Sequence, residues 1–391
     1  MTRSAGMAVF AALIVMGAGY FLQLGLGRTV APSEFAFLQE TLAFYMMATL
    51  PLQPVGAVVT KQSARNEDQF WNEVTRPSAI ALAMVVVLVV FVWAGRSSAS
   101  DWDASTLLLF ALSVMTAVAF LITNSLAVGH LDFLGSTIIQ TMQASVRVAL
   151  ALPLVWWGTG ARGLWCATAI ANGTAALCAR WRLGGTKPTS KALPPAGGPI
   201  RRDFAIAVCC YVGIAVLTQI DLVYARRSFP EVTTYAGAAL LGKFVFYLPA
   251  AASIVVLPML VRVETRADGA RLMKKAMAVV GGFSLLCLAG VAVFGEWLAG
   301  RVLGPEYARS GTYITTSGWA MLPYPLVNLL ASASLRAGRV RLAISSLAAA
   351  ILAAAVAGSG AVSLRGLAAL LVVLGGALVI IAWFDTENVS G

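Results

Sequence analysis

Apolar runs of about 20 residues recur along this chain, and none shows the alternation of polar and apolar residues that a strand requires. An α-helix of that length spans the roughly 30 Å hydrocarbon layer of a bilayer. Backbone groups in lipid must find their hydrogen bonds inside the protein, so runs without alternation select a helical bundle over a barrel. Charge content agrees. Only 12% of residues are charged and 59% are hydrophobic, with a mean hydropathy of +0.82. A soluble domain averages about 25% charged residues.

Twelve spans are expected, near 6–26, 35–60, 78–95, 105–126, 135–158, 161–181, 203–225, 232–260, 273–299, 310–335, 340–358 and 362–384. The N-terminal apolar run is long and has no convincing cleavage site, so it reads as a first membrane helix rather than a removed leader. Loops on the N-terminal side hold 18 Lys and Arg, among them Arg3, Lys61, Arg180, Arg201, Lys274 and Arg336; the opposite side holds 8. By the positive-inside rule both termini are cytoplasmic. The stretch RWRLGGTKPTSKALPPAGGPIRRD at 180–203 is rich in Gly, Pro and basic residues. It divides the chain into an N-terminal six-helix bundle (1–182), a cytoplasmic linker (183–202) and a C-terminal six-helix bundle (203–391). A faint repeat at an offset of about 200 residues pairs Phe35 with Tyr235 and Phe44 with Phe244. Two halves of that kind are a common transporter plan.

The net charge of +11 follows this loop pattern. It therefore reads as topology and not as a nucleic-acid face, and no nucleic-acid partner is expected. Cys166, Cys178, Cys209, Cys210 and Cys287 all lie in apolar segments without metal-ligand spacing, so they read as small buried hydrophobes. The single histidine, His130, cannot form a His-based metal cluster. Walker, HExxH and GxSxG motifs are absent, and Asp101 and Asp103 (DWD) sit in a short outer loop without a catalytic domain around them. Neither an enzyme nor a cofactor is expected.

Few ionic residues remain inside the spans. A charge at the centre of a membrane helix costs about 2.5–3.5 kcal/mol on insertion scales, so each needs a partner or a task. Asp221 and Lys243 flank a short turn between spans seven and eight, with Lys243 near the midplane. Either they form a structural salt bridge, or Lys243 meets an anionic ligand and Asp221 takes a proton or cation. In span five, Ser136, Gln140, Gln143 and Arg147 are spaced four, three and four apart and share one helix face. The glutamines serve either a cavity or contacts between helices; Arg147, a permanent charge, favours the cavity. Asn124 and Asn172 add amide groups for hydrogen bonding. Glu40 sits in the outer part of span two, either at the interface or in a cavity. Arg28, Arg226 and Arg227 lie at outer helix ends, where snorkelling accounts for them. Pro51, Pro54 and Pro249 mark places where helices bend.

The segment LGRTVAPSEFAFLQETLAFYMMATLPLQPVGAVVTKQSAR resembles the first loop and second helix of polysaccharide-biosynthesis flippases of the Wzx type, in the MATE-like multidrug/oligosaccharidyl-lipid/polysaccharide (MOP) superfamily. DLVYARRSFPEVTTYAGAALLGKFVFYLPAAASIVVLPMLVR resembles the family's series of Asp, Tyr, Gly-Lys and Pro, here Asp221, Tyr235, Gly242, Lys243, Pro249 and Pro258. FGEWLAGRVLGPEYARSG, with Gly304 and Tyr307, and ASLRAGR at 333–339 extend it. The resemblance implies a MATE/MOP-like all-α membrane protein of about twelve helices, with two six-helix bundles around a cationic cavity. It implies alternating access in a bacterial cytoplasmic membrane, with polyprenyl-pyrophosphate-linked oligosaccharide moved to the outer leaflet.

Under that reading Lys243 and Arg147 meet the phosphates, Gln140, Gln143 and Asn124 hydrogen-bond sugars, and Asp221 and Glu40 couple transport to a proton or to sodium. Membrane lipid and glycan-assembly proteins are the expected partners. A cation-coupled drug antiporter of the same fold is the alternative, separated from the flippase by the charge of its substrate. A major-facilitator transporter would carry a Gly-Asp-Arg-Gly-Arg-type motif after span two, which TKQSARNEDQFWNEVTRPS lacks.

Overall fold

The computed structural model describes residues 2–54, 56, 102–129, 133–183, 200–229, 231–250, 266–334 and 340–387. Span 78–95, Asp101, His130, Pro258 and linker residues 184–199 fall outside them. The described residues are nearly all helical: α1 (Thr2–Thr29), α2 (Pro32–Thr49), α3 (Ala104–Gly129), α4 (Phe133–Leu154), α5 (Gly160–Leu183), α6 (Ile200–Ser228), α7 (Val232–Gly242), α8 (Arg266–Leu298), α9 (Gly311–Met321), α10 (Tyr324–Ser334), α11 (Val340–Ser359) and α12 (Leu364–Glu387). Two compact units emerge, one of Met1–Leu22 with Ala48–Phe204, the other of Gln23–Met47 with Ala205–Gly391.

Six described stretches are long and apolar enough to cross a membrane. Their outward faces are apolar too: Leu108, Leu177, Val293 and Val373 are exposed, as are Trp156, Trp157 and Trp297. The chain is a multi-pass membrane protein. The stretch Val208–Ser228 of α6 stands apart, at 72% buried against 22% for Asp268–Leu303. The most enclosed apolar helix is thus also the one that carries Gln219 and Asp221.

In the first unit α3 and α4 both pack on α5. Spans five and six meet at a π-helical turn, Val155–Thr159, where Gly158 (φ 83°) and Gly160 (φ 54°) adopt backbone conformations open to glycine. Asp103 caps α3 by accepting a hydrogen bond from the Thr106 backbone N–H at 2.7 Å, and it pairs with Arg162 of α5. Asp103, the last residue of DWD, is therefore a helix cap. Trp102, Phe110 and Trp165 stack edge to face beside it, with centroids 5.6 and 5.1 Å apart.

Three expected spans are interrupted. Span 35–60 leaves α-helix at Thr49 for a 3-10 turn, Leu50–Leu52, that contains Pro51. Span 232–260 breaks after Gly242, and helix resumes over 244–250. Span 310–335 breaks at Leu322 and Pro323, between α9 and α10. Proline has no N–H for the helical ladder, which accounts for the Pro323 break; apolarity alone carried no signal for it. The breaks at Gly242 and Pro323 lie on neighbouring elements, because α7 packs on α9. A Cβ on Gly242 would stand 2.6 Å from Ser317 Cβ and 2.9 Å from Gly318 N, so glycine is what lets these helices touch. Gly213 of α6 meets α11 in the same way, 2.6 Å from the Ser346 carbonyl carbon and oxygen.

Gly213→Ala should lower stability by about 1–3 kcal/mol, since backbone atoms of α11 must move to admit the methyl group. Gly282→Ala, which meets open space, should not; thermal unfolding in detergent distinguishes the two. A second expectation concerns Asp103. Hydrogen bonds from the Thr106 hydroxyl and backbone hold its carboxyl at about 2, below the ordinary 3.8. The folded value is depressed, so the cap stabilises above about pH 4 and is lost as pH falls toward 2. Asp103→Ala should speed amide exchange at Ser105, Thr106 and Leu107 at neutral pH, whereas Asp103→Asn, which still caps, should preserve their protection.

Candidate functional site

The second unit buries an ion pair in apolar surroundings. Lys243 Nζ lies 3.2 Å from Asp221 Oδ1, and the two side chains are 5% and 4% exposed. The other carboxylate oxygen, Oδ2, accepts a hydrogen bond from the Tyr235 hydroxyl at 2.8 Å. Lys243 also donates to Gln219 Oε1 at 2.8 Å, and Gln219 Nε2 donates to the Tyr247 hydroxyl at 2.8 Å. The result is a continuous chain from Tyr235 through Asp221, Lys243 and Gln219 to Tyr247.

Local backbone structure sets this chain up. Tyr235 and Lys243 are eight residues apart on α7, so both face α6. Lys243 closes α7, and its carbonyl accepts from both Phe246 N–H and Tyr247 N–H at 3.0 Å. That shared acceptor turns the chain and brings Tyr247 back toward Gln219. Burying either charge alone would carry a penalty of several kcal/mol; pairing with hydrogen bonds at the remaining positions offsets it.

An aromatic cluster leads from this network toward the α6 C-terminus. Phe229, Tyr235 and Tyr313 meet edge to face with centroids 5.5–6.5 Å apart. Tyr313 donates a hydrogen bond to the exposed Glu231 at 2.8 Å. Exposure falls along the series, from Glu231 at the rim through half-buried Phe229 and Tyr313 to buried Tyr235.

Glu40 of α2 belongs to the same unit. It is buried, and its Oε2 lies 3.6 Å from Arg226 Nε. Arg226 is 22% exposed at the side chain, so an ion pair and not only snorkelling accounts for it.

The amide residues lie in the first unit and cross-link its helices. Ser136 donates to Asn124 Oδ1 at 2.8 Å and accepts from Gln140 Nε2 at 3.0 Å, joining α3 to α4. Gln143 Nε2 donates to Asn172 Oδ1 at 2.8 Å, and Asn172 donates to the Ser113 carbonyl at 3.2 Å, joining α4, α5 and α3. Arg147 is half-buried one turn beyond Gln143. The helix-face stripe is therefore real, and part of it ties helices together.

The sequence reading brought out Asp221, Lys243 and Glu40 but gave no role to Gln219, Tyr235 or Tyr247. Gln219 stands two residues before Asp221, a spacing that points away from it on an α-helix. Only the reach of the glutamine and lysine side chains joins them. Tyr235 lies in the recognised Asp–Tyr–Gly-Lys series, and that order was its available signal.

No protein-family model matches the chain, and no curated protein does. Solved structures do. A MATE in its straight conformation superposes with a TM-score of 0.62 at 13% identity, covering 99% of this chain and 95% of that one. The Vibrio cholerae MATE transporter VcmN in its bent form gives 0.64 at 14% identity, covering 99% and 96%. A MOP superfamily transporter from Pyrococcus furiosus, described as having a binding pocket of reversed polarity that suggests a different function, gives 0.64 at 14% identity, covering 99% and 95%. The chain has the MATE fold.

Asp221→Leu and Lys243→Met should each destabilise by about 3–5 kcal/mol, because each strands a buried charge. The double variant should cost less than either, as no charge remains to be stranded. Thermal unfolding in lipid nanodiscs, read as a double-mutant cycle, measures the coupling; additive losses would show that the pair does not interact.

Proposed function

We propose that this chain is a flippase of the bacterial cytoplasmic membrane that moves polyprenyl-pyrophosphate-linked oligosaccharide by alternating access. The observation that carries the proposal is the buried Asp221–Lys243 network at a helix break within a MATE fold. Ionisable groups inside membrane helices are costly and mark ligand or ion paths, and interrupted helices mark the sites of many transporters. A pyrophosphate with its sugars cannot cross hydrocarbon unaided. Lys243 supplies positive charge for the phosphates. Asp221 and Glu40 are the coupling carboxylates, with proton the leading candidate over sodium for the reason given below.

One observation favours the second reading, a cation-coupled antiporter of small molecules. Lys243 is neutralised by Asp221 and Arg226 faces Glu40, so these pairs leave no excess positive charge. The Pyrococcus furiosus transporter, with its reversed pocket polarity, shows why fold alone leaves substrate charge open.

Proteoliposomes carrying a fluorescent polyprenyl-pyrophosphate oligosaccharide decide between these. The parent should move the lipid, and Lys243→Ala, inserted to the same level, should lose at least about tenfold in initial rate. Export of organic cations without movement of the glycolipid would replace the flippase reading with the antiporter.

A further inference from the structure

The two carboxylate oxygens of Asp221 face different partners: Oδ1 forms an ion pair with the Lys243 ammonium at 3.2 Å, and Oδ2 accepts a hydrogen bond from the Tyr235 hydroxyl at 2.8 Å. The carboxylate thus occupies the position that an oxyanion would take on Lys243. The two partners differ in mobility. Asp221 is short and fixed on the enclosed helix α6, whereas Lys243 has a flexible four-carbon stem at the break after α7. If the attraction between them is cancelled, it is the ammonium that moves.

We propose that Asp221 is a tethered counter-anion that holds Lys243 until a proton and a phosphate-type oxyanion replace it together. The proton, drawn from solvent, neutralises the Asp221 carboxylate. Tyr235 keeps its hydrogen bond to the resulting acid, and the released Lys243 ammonium takes the ligand's oxygen. Before the exchange the site holds one negative and one positive group. Afterwards it holds a neutral acid, the ammonium and the ligand's oxyanion, so the single charge facing the ammonium is conserved and the remaining charges of a pyrophosphate lie outside the exchange. That conservation is what a low-dielectric site demands.

A metal cation is the poorer replacement for the ammonium. At the position of Lys243 Nζ the described residues offer Asp221 Oδ1 and Gln219 Oε1, and sodium or calcium takes about six or more oxygens. The rings of Tyr313, Phe229 and Tyr235 pack edge to face between Glu231 at the rim and the pair. The titratable groups around Asp221 are Tyr235 and Lys243 on α7, Tyr247 on the stretch after it and Tyr324 on α10.

The inference rests on the transport reading and supplies its substrate charge and its coupling ion. Its test measures binding, so it fails or stands separately from glycolipid transport. The full chain in nanodiscs is titrated with inorganic pyrophosphate and with farnesyl diphosphate, by calorimetry in buffers of different ionisation enthalpy. The parent should take up one proton per ligand bound, and its affinity should rise about tenfold for each unit of pH lowered across the mildly acidic range. Asp221→Asn should bind at least about tenfold tighter at neutral pH and lose the pH dependence; Lys243→Met should abolish binding in both backgrounds. Tighter binding of farnesyl diphosphate than of pyrophosphate assigns the oxyanion to a lipid headgroup, and equal binding assigns it to a free anion; both keep the exchange. Binding without proton uptake overturns it, as does Asp221→Asn that folds and binds no tighter. If Asp221→Asn does not fold, the proton count on the parent decides. Tetraphenylphosphonium binding with proton release, lost in Asp221→Asn, would overturn it in favour of a cation site.

Discussion

Hydrocarbon offers no hydrogen bonds, and that one constraint shapes this molecule from backbone to site. Each apolar run must satisfy its own N–H and C=O groups, so it becomes a helix. Polar side chains left in such helices must then find one another, since lipid will not solvate them. In the first unit they do so as amides and hydroxyls, with Ser136, Asn124, Gln140, Gln143 and Asn172 bridging three helices. In the second they do so as ions, with Tyr235 and Gln219 completing what Asp221 and Lys243 begin. The same demand that holds the helices together therefore concentrates the reactive chemistry at a few interior points.

Close helix contact is the other half of this arrangement. Without a hydrophobic drive between lipid-bathed helices, association depends on packing and on small residues that let backbones approach. Gly242 against Ser317 and Gly213 against Ser346 are such points. Gly242 immediately precedes Lys243, so the residue that presses α7 onto α9 also fixes where the lysine emerges. Packing and site geometry are set by adjacent positions in the chain.

Much of this was legible before any coordinates. Spans 105–126, 135–158 and 161–181 coincide closely with α3, α4 and α5, because long apolar runs have one stable form in lipid. Asp221 and Lys243 stood out because a charge there is expensive. The break at Pro51 was legible from its proline, but two others were not. Pro323 and the Gly242–Lys243 junction sit in runs that remain apolar across the interruption, and a hydropathy reading registers only apolarity. Gln219 escaped for a different reason. Helix-face reasoning pairs residues three or four apart, and Gln219 reaches Lys243 through side-chain length, a degree of freedom that spacing does not encode.

The pairing of buried charges has an electrical side. Among the described residues the fully buried charged groups are Glu40, Asp221 and Lys243, and each faces an opposite charge carried by the same unit. A membrane potential does work only on net charge that moves, about 2.3 kcal/mol per elementary charge for each 100 mV. A buried charge that moves together with its counter-ion does so without electrical work. The resting voltage of the cell then has no lever on these two pairs, whichever way they move.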